Sequence, residues 1–228
     1  MVERADTVRV SPKARRPQGL RRAAPPQPIL VAIAGGSGSG KTWLAQKLER
    51  ALGPRVIRLC LDSFYRDRSH LPLARRAGLN FDHPRAIDWA CVEGALKALL
   101  AGRPASVPVY DFKTHSRLPR LQRIRPRPLI LLEGLWPLQR RAIRRLTRLS
   151  IFLNCPSSLR LRRRMQRDLT ARGRTRASVA RQFRESVEPM HLRFVAPQLK
   201  QANLVLPQPC SPRQVRHLAA NIRQLLHH

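Results

Sequence analysis

The stretch ILVAIAGGSGSGKTWLAQKL, Ile29–Leu48, passes through three patterns in immediate succession. Ile29–Ala34 is a continuous apolar run, typical of a strand that is buried on both faces of a parallel sheet. A cluster of glycines and serines follows it. From Thr42 to Leu52 leucines recur at helical spacing, until Gly53 and Pro54 end the pattern. The stretch therefore predicts a buried strand, a glycine-rich loop and a helix.

The glycine cluster matches the pattern G-x-x-x-x-G-K-[ST] of the P-loop. Glycines let the backbone curl so that successive N–H groups point at phosphate oxygens, and the start of the next helix adds its positive dipole end. In this pattern Lys41 reaches the β- and γ-phosphates, and the hydroxyl of Thr42 is placed to bind Mg²⁺. We predict a nucleoside triphosphate site formed by Gly35, Gly36, Ser37, Gly38, Ser39, Gly40, Lys41 and Thr42. Kinases, GTPases and motor ATPases share the motif, so the loop alone does not select the reaction.

Further apolar runs alternate with helical patterns along the chain. Strands are predicted at Val56–Leu61, Val107–Tyr110, Leu129–Leu132, Leu149–Leu153 and Leu204–Leu206. Helices are predicted at Ile87–Leu100, Leu159–Ala171, Ser178–Val187 and Pro212–Leu226. This alternation favours an α/β fold with a mainly parallel sheet, in which ligands bind at the carboxyl ends of the strands.

Two carboxylates follow predicted strands at that edge of the sheet. Asp62 comes after the second strand, where a carboxylate could take the proton of an acceptor alcohol and help hold a metal ion. An isolated Asp at such a position is also common as a helix N-cap. Glu133 follows Leu129–Leu132 and could reach metal-bound water, although a motor ATPase would place an acid there too.

Two loops concentrate the aromatic residues, of which the chain has only 11. The stretch NFDHPRAIDW, Asn80–Trp89, sets an aspartate, a histidine and aromatic side chains before a helix, and PVYDFKTHSR, Pro108–Arg117, contains Tyr110, Phe112 and His115. Aromatic rings with a few polar groups suit a planar heterocycle. A hydrophobic hairpin patch would explain Tyr110 and Phe112, but not the polar residues beside them.

The chain is strongly basic, with 45 Lys and Arg against 13 Asp and Glu and a formal net charge of +32. Such a field attracts nucleic acid, acidic lipids or phosphorylated metabolites, although arginines spread over a chain also occur simply as solvated surface.

The four cysteines match no metal-ligand spacing and indicate reduced thiols and a cytoplasmic protein. No apolar run approaches the roughly 18 residues of a membrane span. Residues 1–28 carry five prolines and predict a flexible basic tail before one domain at 29–228.

Six motifs taken together identify a family resemblance. AGGSGSGKT, DSFYRD, NFDHP, PVYDF with HSR, LLEG and RRRMQRD with RGR occur in this order between Ile29 and Pro207. They resemble the phosphoribulokinase/uridine kinase family of P-loop kinases, and in particular its uridine–cytidine kinase branch. The resemblance implies a doubly wound parallel P-loop sheet with a β-hairpin and a helical lid. It also implies transfer of phosphate from ATP, with Mg²⁺, to the 5′-hydroxyl of uridine or cytidine.

The resemblance assigns a role to each candidate site residue. Asp62 resembles the catalytic base, acting with Lys41, and Asp82 resembles the residue that holds the ribose hydroxyls. Tyr110 and His115 resemble the residues that recognise the base. Phe112 resembles a residue that packs beside them. Arg164, Arg167 and Gln182 resemble substrate contacts, and Arg172 and Arg174 resemble arginines that close over the triphosphate. The resemblance assigns metal binding to Thr42, Asp62 and Glu133.

Departures from the family pattern leave the substrate open. Arg85 stands where an acidic residue is usual, close to Asp82, so a pair between them would alter the grip on a nucleoside. A sibling kinase acting on another small alcohol, such as a sugar phosphate, is the first alternative. The second is an ATP-binding protein associated with nucleic acid, although no nucleic-acid recognition motif is present. The resemblance also suggests a homo-oligomer, as a tetramer, with no membrane or specific nucleic-acid partner.

Overall fold

The computed structural model describes residues 27–226, apart from the side chains of residues 171 and 172. All but the last two residues of the predicted basic tail, 1–28, lie outside this range. No helix within the described residues is long and apolar enough to cross a membrane.

Seven strands and eight α-helices follow one another within residues 27–226. The strands are β1 Ile29–Gly35, β2 Val56–Cys60, β3 Ala105–Asp111, β4 Ser116–Ile124, β5 Leu129–Gly134, β6 Thr147–Asn154 and β7 Leu204–Pro207. The helices are α1 Lys41–Leu52, α2 Leu73–Ala77, α3 Trp89–Leu100, α4 Arg141–Leu146, α5 Ser157–Arg172, α6 Arg176–Gln182, α7 Glu188–Met190 and α8 Pro212–Leu225. Two π-helical segments, Phe183–Val187 and His191–Val195, flank α7 and extend the helical path that begins with α6.

The central sheet has the order β2-β5-β1-β6-β7, and every neighbouring pair in it is parallel. Strands β3 and β4 form a separate antiparallel hairpin. The parallel α/β sheet predicted from the apolar runs is therefore confirmed, and so is the hairpin that the resemblance implied.

Strand β1 is buried on both faces, which explains its unbroken apolar sequence. Leu30 and Ala32 face a core shared with α3 and the hairpin, whereas Val31 and Ile33 face a second core shared with α1 and α8. All four are 0% exposed. Successive side chains of a strand point to opposite faces, so only a strand covered by two layers keeps every position apolar.

Three predicted boundaries differ from the structure for local reasons. The second strand stops at Cys60, because a 3-10 turn, Leu61–Phe64, follows and carries Asp62. Helix α3 begins at Trp89 rather than at Ile87, since the side chain of Asp88 accepts a hydrogen bond from the N–H of Cys91 and caps it. The helix predicted at Ser178–Val187 begins earlier, at Arg176, where Thr175 provides the cap.

Two glycine-to-alanine changes should shift stability in opposite directions. A Cβ on Gly134 would lie 2.6 Å from the Cβ of Leu61, so Gly134→Ala should lower the free energy of unfolding by about 1–3 kcal/mol. Gly94, within α3, has nothing within 4 Å of an added Cβ, so Gly94→Ala should raise the free energy of unfolding by about 0.5–1 kcal/mol. Urea denaturation of both variants measures the difference. A Gly134→Ala protein as stable as the wild type would contradict the packing described for β5.

Candidate active site

The glycine loop, Asp62 and Glu133 come together because their strands are neighbours. Strand β5 lies between β2 and β1, and Ile33 of β1 is in register with Glu133 of β5. The loop that follows β1 and the turn that follows β2 therefore emerge on either side of Glu133. The sequence predicted this meeting at the carboxyl edge of the sheet, as the strand order requires.

The loop between β1 and α1 needs glycine at two left-handed positions. Gly38 has φ 81° and Gly40 has φ 94°, in a region that other L-residues rarely adopt. The buried ammonium of Lys41 folds back over the loop and donates to the carbonyl of Gly36 at 2.9 Å. Burial lowers the pKa of Lys41, and the carboxylates of Glu133 and Asp62 oppose that shift.

The hydroxyl of Thr42 and the carboxylate of Glu133 are in direct contact. Thr42 donates to Oε1 of Glu133 at 3.0 Å, and Glu133 is only 1% exposed. Burial raises the pKa of Glu133, while Lys41 acts to lower it. The guanidinium of Arg58 also lies 3.6 Å from Glu133. A buried carboxylate is thus held within a small group of cations and one hydroxyl.

The oxygen atoms at this position suit Mg²⁺. Thr42 and Glu133 supply a hydroxyl and a carboxylate, and Asp62 interacts electrostatically with Glu133. Mg²⁺ prefers such oxygen donors and is often bound through one or two carboxylates, with phosphate and water completing its coordination. Within residues 27–226 no group of three or more His, Cys, Asp and Glu side chains forms a metal site. A hydroxyl with two nearby carboxylates fits a cation that is bound jointly with a phosphate ligand.

A further carboxylate, Asp82, interacts electrostatically with Asp62. Burial raises the pKa of Asp82, and the guanidinium of Arg164 opposes the shift. Tyr65 is buried next to both acids, which together with burial hold its pKa well above the usual value. The hydroxyl of Tyr65 donates to the carbonyl of Phe81 at 3.2 Å. The carboxylates of Asp62 and Asp82 are thus both close to the aromatic side chain of Tyr65.

Aromatic residues from both loops form one cluster with Tyr65. The rings of Tyr65 and Tyr110 have centroids 5.2 Å apart, and Phe81 stacks on His115 at 5.2 Å with an interplanar angle of 21°. Phe112 packs edge-on against Tyr110 but is 48% exposed. His115 has φ 51°, a left-handed conformation that is uncommon outside glycine. The hairpin turn therefore sets this ring against Phe81 at some conformational cost.

Arg117 fixes the hairpin to the turn that carries Asp62. Its guanidinium donates to the carbonyl oxygens of Tyr65 at 2.7 Å and Phe64 at 3.3 Å, and pairs with Asp88 at 3.2 Å. Charge-assisted hydrogen bonds of this kind are stronger than neutral ones. Arg117 therefore joins the hairpin to the turn that carries Asp62.

The arginines of α5 and the following loop gather around Asp168, which is 0% exposed. The side chains of Arg164 and Arg167 lie 3.4 Å and 2.8 Å from its carboxylate, and that of Arg174 lies 4.0 Å away. Arg164 also donates to the hydroxyl of Ser37, in the glycine loop, at 2.8 Å. Gln182 accepts hydrogen bonds from Arg164 and Arg174. The side chain of Arg172 lies outside the described residues.

Four residues of this site were given no role by the sequence analysis. Tyr65 and Phe81 complete the aromatic cluster, although the motifs quoted for the family contain both. Asp168 organises the arginines, and Arg117 anchors the hairpin. Asp168 could have been found, because it is the single acid among the fifteen arginines of 140–184. The side chain of Arg85, by contrast, is exposed and forms no ion pair with Asp82 in the part of the chain that is described.

The fold and the site define a phosphotransferase of the P-loop class. Within that class the sequence model of the Phosphoribulokinase / Uridine kinase family matches residues 30–213, and the chain belongs to this family.

Similar proteins agree with this assignment. The chain is 43% identical over 181 residues to a uridine kinase from Chloroflexus aurantiacus, covering 79% of this chain and 87% of that protein. It is 38% identical over 207 residues to a uridine kinase from Tolumonas auensis, covering 88% of this chain and 97% of that protein. The structure of phosphoribulokinase from Rhodobacter spheroides superposes with a TM-score of 0.58 at 17% identity, covering 81% of this chain and 71% of that one, and supports the fold.

Replacing the loop lysine should remove nucleotide binding selectively. Lys41→Met deletes the buried cation of the loop and should weaken ATP binding about 100-fold, since a charged contact to phosphate is worth roughly 2–3 kcal/mol. Lys47→Met, on the exposed side of α1, is the matched control and should bind ATP like the wild type. Isothermal titration calorimetry measures both. Equal affinity of the two variants would exclude a phosphate role for Lys41.

Proposed function

We propose that this protein phosphorylates the 5′-hydroxyl of uridine or cytidine, using ATP and Mg²⁺. One observation carries the proposal: Asp62 and Asp82 both interact electrostatically with Lys41 of the phosphate loop. Both also interact with Tyr65, whose ring packs against Tyr110 of the hairpin. A nucleoside has a sugar hydroxyl beside a planar base, and this site offers carboxylates beside stacked rings. The uridine kinases named above support the same substrate class.

On the donor side, the loop binds the phosphates through its backbone N–H groups, with Lys41 over the β- and γ-phosphates. Thr42, Glu133 and Asp62 would hold Mg²⁺, which when bound neutralises charge on the phosphate oxygens. In the structure the hydroxyl of Thr42 already points at Glu133. These residues act by positioning and electrostatics, which supply most of the catalysis in phosphoryl transfer.

On the acceptor side, Asp62 takes the proton from the 5′-hydroxyl as the oxygen attacks the γ-phosphate. Asp82 accepts hydrogen bonds from the ribose hydroxyls. The base lies among the rings of the cluster and is recognised by His115 and Tyr110. The hydroxyl of Tyr110 is buried with no hydrogen-bond partner within the described residues, so a ligand atom can satisfy it.

The arginines held by Asp168 complete the site. Arg164 spans from Ser37 of the loop to Gln182, so it lies between the donor and acceptor halves. Arg167 and Arg174 are held beside it, with Arg172 next to them in the sequence. Closure of this region would bring fixed guanidinium groups to the transferring phosphate, and Arg is well suited to bind phosphate oxygens in pairs.

An acceptor other than a nucleoside is less favoured by the aromatic cluster. A sugar phosphate lacks a planar base, so it would make no use of the aromatic cluster that contains Phe81 and His115. A cytoplasmic location, a homo-oligomer and the lack of a specific nucleic-acid partner remain predictions. Nucleic-acid association would be recognised by a steep dependence of binding on salt concentration.

Asp62→Asn tests the assignment of the base. The variant should bind ATP with unchanged affinity but transfer phosphate to uridine at least about 100-fold more slowly, because general-base catalysis contributes about 10²–10⁴. Asp67→Asn is the matched control, since Asp67 is exposed in the same segment and its carboxylate accepts hydrogen bonds from Ser69 and the N–H of Arg117. Activity is measured with a panel of uridine, cytidine, ribulose 5-phosphate, pantothenate and no acceptor. Phosphorylation of none of the panel by the wild type would refute the proposed function.

Tyr110→Phe tests recognition of the base. Loss of the hydroxyl should raise the KM for uridine about tenfold, equivalent to one hydrogen bond of about 1.4 kcal/mol, and leave the KM for ATP unchanged. The free energy of unfolding should stay constant or rise, because the variant removes a buried hydroxyl without a partner in the described structure. Steady-state kinetics with each substrate varied in turn measures the effect. An unchanged KM for uridine would remove Tyr110 from the recognition of the base.

A further inference from the structure

A buried arginine outside the P-loop motif lies against the back of the loop. Arg160 is in the first turn of α5 and is 2% exposed. Burying a guanidinium costs several kcal/mol unless it is paired and hydrogen-bonded. Many other arginines of this chain are exposed and keep their hydration. Arg160 has lost its hydration, so its buried position requires an explanation.

Both the side chain and the backbone of Arg160 contact glycines of the loop. A Cβ on Gly36 would lie 2.8 Å from Cδ of Arg160 and 2.8 Å from Nδ1 of His191. A Cβ on Gly38 would lie 2.4 Å from the carbonyl oxygen of Arg160. The loop is therefore packed against α5 with no space for any larger residue at either glycine.

Three further groups hold the guanidinium of Arg160 in place. Its Nη2 is 2.6 Å from Oε2 of Glu188, its Nε donates to the carbonyl of Cys155 at 3.2 Å, and it lies over the ring of Phe183 at 5.5 Å. Burial and the Arg160 charge lower the pKa of His191 to about 4, so this neighbouring ring is neutral at pH 7 and adds no second cation.

Glu188 and Phe183 belong to the helical path that also carries Gln182. Arg160 thus joins the back of the loop to this path, and Arg164, one turn further along α5, joins Ser37 to Gln182. Two consecutive turns of α5 therefore connect the glycine loop to the helical path that carries Gln182 and Glu188. The position of the loop relative to the arginines of the site is therefore set by α5.

We propose that Arg160 is a positioning residue for the phosphate-binding loop, held in its working position by Glu188. The N–H groups of the loop bind phosphate only while they point into one cradle, and a displacement of about 1 Å can cost about 100-fold in function. Arg160 touches no substrate and keeps that cradle formed before the nucleotide arrives. The inference rests on the proposed donor role of the loop and is independent of the identity of the acceptor.

Arg160→Met, which keeps most of the aliphatic stem and removes the charge, tests the proposal. We expect the Kd for ATP to rise at least about tenfold and the KM for uridine to change less than about twofold. Arg162→Met is the matched control, because Arg162 is exposed on the same helix and forms no ion pair in the described part of the chain. Arg160→Lys, which restores a cation but not the planar fork, should fall between wild type and Arg160→Met.

Glu188→Gln tests the same contact from the other side. It should weaken ATP binding about threefold alone and have no further effect in the Arg160→Met background, as a double-mutant cycle for contacting groups requires. The exposed Glu185→Gln is its control. Both sets are measured by calorimetry for ATP binding and by thermal unfolding for Tm.

The outcomes separate the proposals. A folded Arg160→Met protein with a lower Tm and wild-type affinity for ATP would show that Arg160 only stabilises the fold, and would overturn the inference. If Arg160→Met does not fold, wild-type affinity in Glu188→Gln overturns it equally. Failure of the wild-type protein to bind ATP would instead refute the donor role of the loop.

Discussion

Strand β1 pairs with β5 on one side and β6 on the other, and this double pairing places the glycine loop at the middle of the sheet edge. The position decides which segments can reach a bound phosphate. On the β5 side are Glu133 and, one strand further, the turn with Asp62. On the β6 side is α5 with its arginines. The loop therefore lies between the segments that carry Glu133 and Asp62 on one side and the arginine-rich helix α5 on the other.

The carboxylates show how a chain with net charge +32 organises its few acids. Several of them pair with particular arginines. Asp168 holds three arginines, Asp88 holds the arginine that fixes the hairpin, and Glu188 holds Arg160 behind the loop. Because each of these acids is at least partly buried, its pairing is screened less by salt than that of a surface pair. The acids thus position particular arginines, while most of the other arginines remain on the surface.

The local patterns of the sequence were sufficient for the sheet and for the loop. The unbroken apolar runs identified the buried strands, and the spacing of glycines, Lys41 and Thr42 identified the phosphate site. Sequence predicted the boundaries less well where a side chain caps a helix, as Asp88 does for α3. The role of Arg160 was not predicted, since arginine-rich segments give no periodic signal that separates a buried guanidinium from a solvated one.

By itself the sequence determined the class of fold, the phosphate loop and the carboxylates that follow the strands, because these depend on residues close together in the chain. Only the tertiary structure decided the rest. It brought Tyr65 and Phe81 against the hairpin and placed Arg160 behind Gly36 and Gly38. These contacts join segments up to 124 residues apart, as between Gly36 and Arg160. Their partners are chosen by strand order and packing, and no local pattern of residues encodes that choice.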